Sequence, residues 1–155
     1  MRDGWSFLGG AAGACSRNVK KVPFVELFGG RVQGVVSSGS DVKRVYVSFM
    51  EARTGNFYCS TNNNRPCGGL GGSPCKHISQ MVVEASGQFG AATVAGYLGL
   101  PASDDDLTAQ RIQRALGGRP TKEQASRVFS RFLAYLRYTE LAARPGLVTE
   151  MSWFG

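Results

Sequence analysis

The segment YCSTNNNRPCGGLGGSPCKHIS, residues 58–79, constrains this chain more than any other. It holds three of the four cysteines, Cys59, Cys67 and Cys75, and the only histidine, His77. Between them, residues 62–72 contain three asparagines, one proline and four glycines in eleven positions. No helix or central strand persists through such a run, so something other than a regular backbone ladder must fix it. A helix start follows. Ser73 suits the capping position and Pro74 the first helical position, which places Cys75, Lys76 and His77 in the first turn. Ile78, Met81, Val82 and Ala85 then recur at helical spacing, and Gly87 is a natural stop.

Three thiols and one imidazole within 19 residues admit several chemistries. A structural zinc ion takes four such ligands in a tetrahedron. Two of the four would come from turn-rich chain that bends freely, and two from a helix start, where the dipole and Lys76 favour the Cys75 thiolate. A zinc ion with three thiolates is net negative, and Arg65 and Lys76 lie close in sequence to offset that charge. On this reading the metal pins a tract that is otherwise unstructured. Two disulfides would need Cys15 as the fourth partner and an oxidising compartment. A nucleophilic pair at Cys75 and His77 would set residues two apart near a helix start, whose side chains diverge, with no acid or amide to orient the ring. An iron–sulfur cluster could use the same four residues. Zinc is the reading the pattern favours. Four protein ligands, with no carboxylate between Glu51 and Glu84, describe a closed structural site rather than a catalytic one.

The flanking sequence points to an α+β fold: a small β-hairpin, or ββα, zinc module followed by a helical C-terminal part. Residues 31–49 alternate as a hairpin, with Val32, Val35 and Val36 before a polar turn and Val42, Val45, Val47 and Phe49 after it. Residues 55–59 can add a third strand that delivers Cys59 from its end. Residues 89–101 are apolar and rich in small residues, which suggests a closely packed helix. The SDDD run at 103–106 reads as a capping box for a helix that buries Leu107, Ile112, Ala115 and Leu116 and ends at Gly117–Gly118. Thr121 with Gln124 reads as a second box. It opens a helix striped by Ala125, Val128, Phe129, Phe132, Leu133 and Leu136, with Arg127, Arg131 and Arg137 on its solvated flank. No apolar run reaches the roughly 18 residues of a membrane span. The N-terminal residues Trp5, Phe7 and Leu8 are expected to pack on the core rather than to form an export signal, which implies a cytoplasmic, reducing compartment.

PCKHI at a helix start, downstream of a hairpin and of Cys59, resembles the SWIM zinc-binding domain. That family's pattern is Cys-x-Cys, a variable loop, then Cys-x-His, on a ββα arrangement. Cys75 and His77 match its second pair and Cys59 its first cysteine, while position 61 is threonine where the family has its second cysteine. The resemblance therefore implies that Cys67 reaches that corner through a longer loop. It divides the chain into an N-terminal packing segment (1–30), a SWIM-like module (31–87) and a helical region (88–155). Family members are generally binding modules for DNA or for proteins, and the domain is not catalytic by itself.

Net charge is +7, of which residues 1–80 carry +6, with ten Lys/Arg against four acids. Such a field favours acidic or polyanionic partners without choosing between them. No P-loop, dinucleotide fingerprint, nucleophile elbow or HExxH is present, so a non-catalytic role is expected. The first expectation is an accessory or adaptor subunit bound to a protein partner within a multi-subunit assembly. The alternative is a sequence-nonspecific nucleic-acid-binding module using Lys43, Arg44, Arg53, Arg65 and Lys76.

Overall fold

A computed structural model describes residues 21–38, 41, 44–101 and 107–142. Four strands, β1 (Phe24–Phe28), β2 (Arg31–Ser37), β3 (Val45–Glu51) and β4 (Phe57–Thr61), form one antiparallel sheet in the order β1-β2-β3-β4. Four helices follow: α1 (Lys76–Phe89), α2 (Ala91–Leu98), α3 (Ala109–Leu116) and α4 (Ser126–Ala142). This is the expected α+β class, with one more strand ahead of the hairpin than the alternation at 31–49 indicates. Gly29 and Gly30, at φ 59° and 74°, join β1 to β2 in a two-residue turn that only such residues enter without strain.

Strand period places side chains on two faces, and both faces are covered. Val32, Val36 and Met50, with Phe57 and Cys59, turn toward α1, α2 and α3 and form the larger core with Ile78, Met81, Val82, Val94, Leu98 and Ile112. Val35 and Val47, paired across β2 and β3, turn the other way and meet Ala125 and Val128 of α4. Cover on both sides explains why β2 shows no polar alternation: its five central residues are all buried.

Helix ends depart from expectation for identifiable reasons. Helix α1 starts after Cys75, which is extended at φ −76°, ψ 171°, so Ser73 and Pro74 lie outside it. It runs past Gly87 to Phe89 and ends at Gly90, whose φ is 87°. Helix α3 is capped by Thr108, whose hydroxyl accepts from the Arg111 amide at 3.2 Å. Leu107 is buried but precedes the helix, and the 103–106 capping box lies outside the described residues. Helix α4 starts at Ser126 because Thr121 is engaged elsewhere, donating its amide to the Phe57 carbonyl at 2.9 Å. The stripe on α4 meets the sheet through Ala125, Val128, Phe129 and Phe132, as expected, and Phe132 and Tyr135 lie tilted beside Phe24, while at its far end Leu133 and Leu136 remain 46% and 38% exposed.

Where α3 ends, its Gly117–Gly118 tail packs directly on the turn between β3 and β4. A methyl group on Gly118 would fall 1.8 Å from the Gly55 carbonyl oxygen, backbone that cannot swing away. Gly118→Ala is expected to cost about 2–3 kcal/mol in denaturant unfolding, as overpacking does. Gly71→Ala, with no atom within 4 Å of the added carbon, should stay within about 0.5 kcal/mol. Equal effects would contradict this packing.

Candidate metal centre

Three segments deliver the four ligands: β4, the connection that follows it, and the start of α1. Cys59 lies in β4 on the face turned to α1, opposite Ser48 of β3. Cys67 is eight positions on, yet it arrives beside Cys59 because the chain doubles back. Thr61 donates its amide to the Arg65 carbonyl at 2.8 Å, Ser60 pairs with Pro66, and Cys67 donates to the Cys59 carbonyl at 3.0 Å. The asparagines serve this hairpin: Asn64 adopts φ 63° and Asn62 donates to the Val45 carbonyl at 3.2 Å. The half of the tract up to Cys67 is thus ordered by its own hydrogen bonds, and the metal is not needed to explain it. Beyond Cys67 the supports are sparser: Leu70 donates to the Cys67 carbonyl at 2.9 Å and Gln113 of α3 to the Gly72 carbonyl at 2.7 Å.

The side chains converge on one point. His77 Nδ1 lies 3.3 Å from Cys67 Sγ, 3.8 Å from Cys59 Sγ and 3.9 Å from Cys75 Sγ. All four ligand atoms lie within 4.8 Å of one another, and all four residues are buried. A tetrahedron with metal–sulfur bonds of about 2.3 Å and a metal–nitrogen bond of about 2.0 Å has sulfur–nitrogen edges of roughly 3.5 Å, so the residues fit a four-coordinate ion. Cys75 and His77 converge, rather than diverging as two residues of one helical turn would, because Cys75 is still extended. Tyr46 of β3 stacks on the His77 ring, with centroids 3.8 Å apart and planes at 15°, and fixes its orientation. The Ser48 hydroxyl donates to Cys59 Sγ at 3.3 Å and the Gly69 amide to Cys67 Sγ at 3.4 Å. Tyr46 and Ser48 were not singled out from sequence, although β3 alternation places both on the ligand face.

Electrostatics separate the thiols. Cys75 is pulled down to about 4, first by the Cys59 thiol donating to it, against burial, and further by His77 and by the His77 and Ile78 amides at the α1 N-terminus. Cys59 is pushed well above the ordinary thiol range by the same bond to Cys75 and by burial. Burial also raises Cys67. One sulfur is anionic and its neighbours resist ionising beside it, which is the condition a cation would relieve.

Cys59, Cys67 and Cys75 form no disulfide, and Cys15 lies outside the described residues. All four residues of the cluster are buried. Of the five basic residues considered for nucleic acid, Arg44, Arg65 and Lys76 sit at the ligand end of the sheet. Arg44 is 4.0 Å from Asp41. Arg53 is at the opposite end of β3, whose seven residues span roughly 23 Å, and Lys43 is not among the described residues. Among the described residues no helix is long and apolar enough to cross a membrane. Set against known protein-family models, curated proteins and solved structures, the chain matches none of them.

Metal uptake must displace the protons that Cys59 and Cys67 retain, so affinity should rise with pH. Calorimetry at neutral pH, in buffers of different ionisation enthalpy, should show about two protons released per ion. Release of three would instead mean that Cys75 too is protonated before the ion binds.

Proposed function

We propose that this chain is a zinc-stabilised, non-catalytic binding module of SWIM-like plan, acting as an accessory or adaptor subunit that binds a protein partner within a larger assembly. The observation that carries the reading is the closed geometry: three sulfurs and one nitrogen, all buried, leave no open coordination position for chemistry. The SWIM-like plan is supported by the order of parts. The β3–β4 hairpin carries Cys59 at the centre of β4, and Cys75-x-His77 opens the helix that packs on it. The strands adjoining the ligands are β3 and β4, and the hairpin at 61–67 supplies the corner that the family fills from position 61. Zinc is the ion of choice for a donor set of three thiolates and an imidazole.

The protein-binding reading draws on α4. Leu133, Leu136 and Tyr138, the last 72% exposed, leave apolar surface on its outer side. The nucleic-acid alternative draws on Arg44, Arg65 and Lys76 at the ligand end, with Arg53 set apart from them. Titration of the metal-loaded chain with DNA and RNA should show binding that fades between low and physiological salt, as for any basic protein. Native mass measurement of the complex taken from its source should show a protein companion. Tight binding that survives physiological salt would reassign the module to nucleic acid.

A further inference from the structure

The two edges of the sheet are treated differently. Along β4, Phe57 is bridged by Pro120 and Ser60 by Pro66, so short segments cover the outer strand. Along β1 no such cover exists among the described residues. The two-residue turn makes Phe28 and Arg31 the hydrogen-bonded closing pair. The alternation of an antiparallel ladder then points the backbone groups of Val25 and Leu27 away from β2. No backbone hydrogen bond from another described element reaches them. Open edges of this kind pair with other strands unless charge, proline or a bulge prevents it.

The strand is also symmetric in character: Phe-Val-Glu-Leu-Phe. We propose that β1 is a homodimer interface, in which two copies join their sheets antiparallel about a two-fold axis at Glu26. This register sets Val25 opposite Leu27 of the second copy and Phe24 opposite its Phe28, so the two outward amides and two outward carbonyls of each strand are met in four hydrogen bonds. An axis at Val25 would set Leu27 against Pro23, which has no amide hydrogen. An axis at Leu27 would set Val25 against Gly29, which is in the turn. Either one would also oppose a phenylalanine to Glu26.

Charge favours the same register. Glu26 is held by Arg131 at 2.6 and 2.7 Å and by Gln33 at 2.5 Å, so the two carboxylates that meet at the axis arrive neutralised, with each arginine beside both. The Arg131 guanidinium also lies 3.7 Å over the Phe28 ring. Phe28 is 49% exposed and Tyr135, tilted beside Phe24, is 48% exposed, so apolar surface borders the edge where the copies would meet. Five residues of strand make a small contact, with a dissociation constant on the order of micromolar.

Sedimentation equilibrium of the full metal-loaded chain should give twice the 16.6 kDa chain mass at tens of micromolar and half-dissociate below that. Under mild oxidation Glu26→Cys should form an interchain disulfide, because facing non-hydrogen-bonded residues have Cα atoms about 4.5 Å apart. Phe28→Cys should not, since its two copies lie roughly 13 Å apart along the strands. Leu27→Pro removes one outward donor per copy and should weaken association about tenfold or more; unchanged metal stoichiometry identifies it as folded. A monomer at every concentration overturns the proposal, as does a dimer cross-linked through position 28 and not 26. Neither result bears on the metal centre, whose ligands lie on other elements.

Discussion

Three sulfur atoms crowded around one ring nitrogen in a buried pocket set an electrostatic condition that the rest of the molecule answers. Cys59 is pushed up first by its bond to Cys75 and then by burial, Cys67 first by burial, and Cys75 alone is pulled down, so only one thiolate forms readily there without a cation. A divalent ion reverses the balance by making every added thiolate favourable. The surrounding groups suit such an ion. Tyr46 fixes the imidazole plane, Ser48 and Gly69 donate to sulfur, and the α1 N-terminus faces Cys75.

The same tract is wired into both layers of the fold. Asn64, in the hairpin between Cys59 and Cys67, accepts from the Ala125 amide at 2.7 Å, just ahead of α4 on the opposite face of the sheet. Gln113 of α3 reaches the Gly72 carbonyl between Cys67 and Cys75. Ligand loop, sheet and the helices on both sides therefore share hydrogen bonds. A metal would add stability to a chain of this size, whose core the sheet divides into a larger and a smaller layer. The smaller has only Val35, Val47, Ala125 and Val128 fully buried, with Phe24, Phe129 and Phe132 at its margin.

Much of this was legible in the sequence. The ligand set follows from counting thiols and imidazoles in a run that cannot be regular structure, and the spacing of Ile78, Met81, Val82 and Ala85 reads directly as the buried face of α1. Strand β1 was not legible, because a strand covered on both faces alternates Phe, Val, Glu, Leu and Phe with a single polar residue and gives no period of two. Helix ends were misplaced where a tertiary bond outweighed a local cap. Thr121 pairs with Phe57 instead of capping α4, and Cys75 stays extended to present its sulfur. The α4 stripe holds through Phe132, while at its far end Leu133 and Leu136 are less buried than the spacing indicates.

X-ray absorption at the metal edge of the purified chain tests the central claim most directly, because it reports donor type, number and distance together. The account predicts a zinc edge fitted by three sulfurs at about 2.3 Å and one nitrogen at about 2.0 Å, with no oxygen in the shell. A metal-free chain, or a shell containing water or carboxylate oxygen, would contradict it.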